Sequence, residues 1–197
     1  YLAGDDDQAI YEWNGADVHS FLNFPGKTFI LKKSYRLNLD VHKLSEELLK
    51  AFIGFSTAHG QTEVSQERTS GKQKAKSFIV RNPLTLQLME SHVKGIKGVG
   101  AIPINEENKC KFGALDIDIY PLDHNALVDK LEELKVPCIV CRSKSGGAHI
   151  FFFFKEWMNA GDFRDKAAEI SSALGHGRCE IFPKQEQILV ERGDVGN

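Results

Sequence analysis

No run of apolar residues in this chain approaches the roughly 20 needed to span a bilayer. The most apolar stretch, Phe151 to Phe154, is strand-sized, so no membrane association is expected. A basic excess is missing too: the formal net charge is −2, and any contact with nucleic acid must be local. The chain opens Tyr1-Leu2-Ala3-Gly4-Asp5, with no basic then apolar leader and no initiator Met. With an ending on Gly196-Asn197, it reads as a piece of something longer, located in the cytoplasm of a bacterial or phage-infected cell. Cysteine is scarce, at four residues, and a chain of this length without an export signal does not use so few as a disulfide framework. Cys138 and Cys141 form a CxxC, which raises zinc or redox chemistry. They lie in the apolar run Pro137 to Arg142 with no second CxxC, and ordinary buried thiols are the expectation. No internal repeat is present.

What is there is the material of a folded domain: 197 residues, 42% hydrophobic and 26% charged, enough for one full domain or one domain and part of another. Two segments differ in pattern. In the first, Thr28 to Leu31 reads as a strand. Leu37, Val41, Leu44, Leu48, Leu49 and Phe52 recur at helical spacing. Residues 54 to 76 then turn polar, and 67 to 76 offer almost nothing to bury. The spacing predicts a linker over 56–76, between a segment 1–55 and a domain 77–197. From Ser77 on, strands are predicted at 77–80, 99–104, 111–119, 138–142, 149–154 and 179–182. Helices are predicted at 84–93, 125–134 and 163–174. This alternation indicates an α/β or α+β domain. The hairpin-like link at Lys144 to Gly147 makes its sheet mixed or antiparallel.

The chemistry concentrates in three places. In Gly113-Ala114-Leu115-Asp116-Ile117-Asp118-Ile119-Tyr120, strand alternation puts Asp116 and Asp118 on one face and Leu115, Ile117 and Ile119 on the other. Paired carboxylates repel and lose hydration, which a divalent cation with a taste for hard oxygen ligands, Mg²⁺ or Mn²⁺, would relieve. Taken alone, the pair is more often a solvated edge. Next, Arg142-Ser143-Lys144-Ser145-Gly146-Gly147-Ala148-His149 is a basic, glycine-containing turn between apolar strands. Its backbone N–H groups can approach phosphate, while Arg142 and Lys144 add charge and His149 opens the following strand. Such a turn is also commonly just a turn, and such a histidine a bonded edge residue. Third, Cys179-Glu180-Ile181-Phe182-Pro183-Lys184-Gln185 adds an acid and a cation that mean little in isolation.

Together, in this order, the three resemble the archaeo-eukaryotic primase family, in particular the branch found in phages and in TOTE conflict systems. The resemblance also takes in His92 to Gly95, Val99 to Ile104 and Glu191 to Asn197. It implies a mixed-sheet primase-polymerase core in which Asp116, Asp118 and Glu180 bind catalytic metal, Mg²⁺ or Mn²⁺. It further implies that His149 and Ser145 contact the incoming nucleotide, with Arg142, Lys144 and Lys184 as supporting cations. Many members of the wider family carry Asp where Glu180 stands.

At the front, Leu2 to Tyr11 with Trp13 to Asp17, and then Leu31 to Arg36, resemble motifs of UvrD/Rep-type superfamily 1 DNA helicases. That implies a partial P-loop helicase α/β segment. In it Gln8 and Arg36 would contact the γ-phosphate of ATP, and Tyr11 and Trp13 would stack on DNA bases. The family's phosphate-binding glycine loop with Lys-Ser/Thr is absent from this stretch, so it is not expected to hydrolyse ATP alone. The expectation is a replication protein fragment. It would be a nucleotidyltransferase acting on a DNA template and primer with nucleoside triphosphates, with the remaining helicase domains supplied in cis or in trans. Two alternatives stand beside it. One is a non-catalytic single-stranded DNA-binding fragment. The other is a haloacid-dehalogenase-like phosphatase with Asp116 as nucleophile, against which Tyr120 occupies a position where that family has Thr or Val.

Overall fold

The computed structural model describes residues 41–69, 72–143 and 145–196. The predicted strand at 28–31 and the start of the first predicted helix therefore lie outside the described residues. The elements run α1 (Val41–Ala51), β1 (His59–Thr69), β2 (Lys72–Val80), α2 (Leu86–Val93), β3 (Gly98–Gly100) and β4 (Lys109–Ile117). They continue with α3 (His124–Glu133), β5 (Ile139–Arg142), β6 (Ala148–Asn159), α4 (Ala160–Ala173) and β7 (Glu180–Phe182), followed by a 3₁₀ turn (Val190–Arg192). Strands form a three-stranded sheet, β2-β1-β3, and a four-stranded sheet, β5-β6-β4-β7, both antiparallel. The fold is α/β. No helix among the described residues is long and apolar enough to cross a membrane.

The stretch read as a linker, 56–76, is instead mostly strand: β1 and β2 pair from His59↔Val80 to Thr69↔Lys72, with an irregularity between Val64 and Arg68. The stretch 67–76 carries no apolar alternation, yet a paired strand needs none to satisfy its backbone groups, since its neighbour supplies the partners. Where β2 can be judged, Ala75, Lys76 and Ser77 are exposed. The predicted strand at 99–104 shrinks to β3, with a separate bridge pairing Ile104 and Cys110.

The described residues divide into two compact units, and the division falls within β4, β6, α4 and β7. In the unit made of 41–113, 153–164 and 182–196, Phe55, Ala58, Ile102, Ile104, Ala160 and Ile188 form a buried core, with Val195 against it. Gly54 is required there: a Cβ would stand 1.8 Å from the Ile102 carbonyl oxygen. Helix α1 packs on α2, and His42 meets Glu90 at 2.8 Å.

In the unit made of 114–152 and 165–181, Leu115, Ile117 and Ile150 are fully buried, as are Ala148 and Ala167. Helix α3 starts at Asp123, whose carboxylate accepts from the Ala126 N–H at 3.0 Å, a cap that satisfies one orphan donor of the first turn. Leu127 and Leu131 bury its apolar stripe. Helix α4 closes at Gly175, whose φ of +85° is the left-handed conformation that glycine adopts most readily.

Candidate active site

Strand β4 brings the first acid to the site. Leu115 and Ile117 are 0% exposed, so the alternation fixes Asp116 on the opposite face. The strand stops at Ile117, and Asp118 lies one residue beyond it, exposed. Ile119, expected in the core, is 48% exposed for the same reason: past the strand end, the period of two no longer holds.

Strand β6 brings the histidine. His149 is its second residue, and its Nε2 stands 3.2 Å from Asp116 Oδ1, an ion-pair distance when the imidazole is protonated. The His149 ring lies edge-on to Phe151, with centroids 6.2 Å apart. Residues 33 positions apart in the chain thus meet because β6 neighbours β4 in the sheet.

The turn between β5 and β6 is tied at several points. The Ser143 N–H donates to the Gly147 carbonyl at 2.9 Å, the Gly146 N–H donates to the Ser143 carbonyl at 3.0 Å, and the Gly147 N–H donates to Ser143 Oγ at 3.0 Å. Gly146 has a φ of +96°. Gly147 lies so close to β4 that a Cβ would stand 2.1 Å from the Ile117 carbonyl oxygen. Arg142, the last residue of β5, is exposed, as is Ser145 in the turn. Lys144 lies outside the described residues.

Tyr120 and His124 join this group, and the pattern of residues did not single them out for it. The Tyr120 hydroxyl donates to Asp118 Oδ1 at 2.7 Å. That bond raises the phenol's pKa above its ordinary value, while a hydrogen bond with Ser145 acts in the opposite direction. His124, 6% exposed, donates from Nε2 to the Gly147 carbonyl at 3.0 Å. Asp123-His124 after Pro121 signals a helix start, but nothing in that signal says what the ring touches.

Glu180 is the first residue of β7 and is exposed. Among the described residues, no group of three or more His, Cys, Asp or Glu side chains is drawn together as a metal site. Carboxylate donors suit one class of ion. Mg²⁺ is commonly held by one or two carboxylates together with substrate phosphates, not by an all-protein cage. Lys184 belongs to the other unit, where its Nζ lies 5.0 Å from the Phe182 ring centroid. Gln8, Tyr11, Trp13 and Arg36 lie outside the described residues.

The cysteines depart from the expected buried set. Cys110 is buried, Cys138 and Cys179 are half-buried, and Cys141 is exposed, all as free thiols. Cys141 is the cross-strand partner of His149 and so shares its face, the solvent side of an edge strand. Burial raises the Cys179 thiol, with Ser171 lowering it and the Asp116 charge raising it. Burial also raises Cys141, and it pushes Cys110 up to about 11. At pH 8 only about one Cys110 in a thousand would be a reactive thiolate. Maleimide labelling followed by peptide mass spectrometry is therefore expected to modify Cys141 early and Cys110 only on unfolding. Equal labelling rates for the two would contradict these placements.

Residues 34–197 match the family described as "TOTE conflict system, Archaeo-Eukaryotic Primase domain". The chain belongs to this family. The primase match begins ahead of Arg36 and α1, both of which the residue pattern had grouped with the front piece. Residues 1–29 match the UvrD/REP helicase N-terminal domain. Over 59 residues the chain is 36% identical to a protein described as ATP-dependent DNA helicase Rep from Buchnera aphidicola subsp. Baizongia pistaciae (strain Bp). That alignment covers 27% of this chain and 9% of the helicase, so the chain spans a small fraction of that relative.

Proposed function

We propose that this primase-family chain catalyses nucleotidyl transfer. The 3′-hydroxyl oxygen of a nucleic-acid strand attacks the α-phosphate of a nucleoside triphosphate. A new P–O bond forms, the bond to the bridging oxygen of the β-phosphate breaks, and pyrophosphate leaves. The observation that carries the reading is the 3.2 Å approach of His149 to Asp116, with Asp118 two residues on.

Asp116 and Asp118, with Glu180 as the third carboxylate, would hold a Mg²⁺ or Mn²⁺ ion jointly with the substrate's phosphates. Such an ion, when bound, supplies Lewis-acid polarisation and charge neutralisation at the phosphoryl group. The chain's own groups do the rest. His149 donates toward a phosphate oxygen while its partner Asp116 fixes the ring. The Ser145 hydroxyl in the glycine turn supplies a further donor, and Arg142 offers a planar fork matched to phosphate. Lys144 acts as a supporting cation.

The front stretch, by its likeness to UvrD/Rep-type helicases, contributes DNA contacts through Tyr11 and Trp13. In a larger assembly completed in cis or in trans, Gln8 and Arg36 face the ATP γ-phosphate. The division into a helicase segment and a primase core belongs to the same proposal.

Presented with a primed DNA template, nucleoside triphosphates and Mg²⁺ or Mn²⁺, the chain is expected to elongate the primer and release pyrophosphate. Gel-resolved extension products with ribo- and deoxynucleotides run in parallel check this. Salt-sensitive binding of single-stranded DNA without elongation under either ion would put the non-catalytic reading in its place.

A further inference from the structure

We infer that His124 is a positioning residue for the incoming nucleotide: it pins the glycine turn to the end of β4 through the Gly147 carbonyl. The inference rests on the nucleotidyl-transfer reading and adds to it a residue that neither touches the substrate nor lies on either strand of the acid–histidine pair.

The local chemistry is specific. A carbonyl oxygen has two lone pairs, and a buried one is costly to leave half-satisfied. The Gly147 oxygen accepts from the Ser143 N–H at 2.9 Å, which only closes the turn on itself. The second donor is His124 Nε2 at 3.0 Å, from the first turn of α3, 23 residues earlier. This bond ties the turn to an element outside it. His124 is 6% exposed and Gly147 is buried, so water does not stand in easily for the lost donor.

The position of the pinned atom gives the bond its consequence. Gly147 lies against the carbonyl of Ile117, the residue between Asp116 and Asp118. Two residues after Gly147 comes His149, and two before it comes Ser145. The same carbonyl therefore sits at the junction of the phosphate-facing turn, the histidine and the acidic strand end. Without its second tie, the turn keeps its internal bonds but is free to shift as a body over β4.

Three variants test this: His124→Leu removes the donor at similar size, His124→Gln keeps an N–H donor, and His124→Asn keeps one on a shorter arm. In primer extension, His124→Leu is expected to raise the KM for nucleotide about tenfold, the weight of one hydrogen bond to a buried acceptor, with a smaller change in kcat. His124→Gln is expected to stay within about threefold of the parent and His124→Asn to fall between them. Amide hydrogen exchange across 143–149 is expected to speed up in the Leu variant and not in the Gln variant. Unchanged KM and exchange in the Leu variant overturns the inference. So does an equal KM rise in the Leu and Gln variants, since that makes the ring a space-filler. Should the Leu variant not fold, an Asn variant indistinguishable from Gln overturns it instead. A parent chain that shows no elongation sinks the nucleotidyl-transfer reading itself, a result separate from either of these.

Discussion

Replacing Asp116 and Asp118 together by alanine is expected to lower primer extension by about 10³-fold or more while the chain stays folded. Groups aimed at charge that develops during the reaction are individually worth roughly 10²–10³ in rate, and two neighbouring carboxylates act on one centre. Stability is affected little, because Asp118 is exposed and the Asp116 side chain is 24% exposed. Loss of the Asp116 partner frees a histidine that already reaches solvent, at 43% side-chain exposure, and strands no buried charge. Asp116→Asn, which preserves shape and removes charge, is expected to move activity in the same direction. The measurement is extension rate beside a thermal melt of each variant. Synthesis at the parental rate in the double variant would mean that these carboxylates are not the reacting centre.

The second large effect is on folding. Gly147→Ala would place a Cβ 2.1 Å from the Ile117 carbonyl oxygen and 3.3 Å from Ser143 Oγ. The nearest atom is backbone, in a strand whose neighbours Leu115 and Ile117 are fully buried, so nothing flexible gives way. Overpacking of this kind costs about 3 kcal/mol, toward the top of the usual range or above it. For a chain of this size that is a fall in Tm of roughly 6–12 °C. Gly60→Ala is the control: its Cβ would meet the nearest atom, a Gly100 carbonyl oxygen, at an ordinary 3.6 Å. Equal melting temperatures for the two variants would show that the turn does not rest on β4.

Much of the second segment could be read from residue order because its strands are half-buried. Leu115 and Ile117 alternate with Asp116, and that alternation located the acids before any coordinates. The glycines of the Ser143–Gly147 turn located the hairpin, and the helix expected at 125–134 matches α3 to within a residue at each end. What escaped did so for physical reasons. The pair β1 and β2 carries no amphipathic signal in the stretch from Glu67 to Lys76, so its composition looked like linker. The end of β4 was placed two residues late, because Ile119 continues the apolar alternation although the ladder has stopped. Cys141 was expected in the core, yet it stands opposite His149 on the outer face. His124 and Tyr120 escaped because their partners, the Gly147 carbonyl and Asp118, depend on how the segment from Tyr120 to Asp123 folds back.

The burial of Leu115 and Ile117 also guards the chemistry against misfolding. A slip of β4 by one residue would expose two aliphatic side chains, losing about 1.5–3 kcal/mol for each, and would drag a carboxylate into the apolar interior at a cost of several more. Correct alignment of the reacting groups is thus enforced by grease and not by the acids themselves. Natural drift in this strand should conserve oily volume at those two positions even where the residue names change.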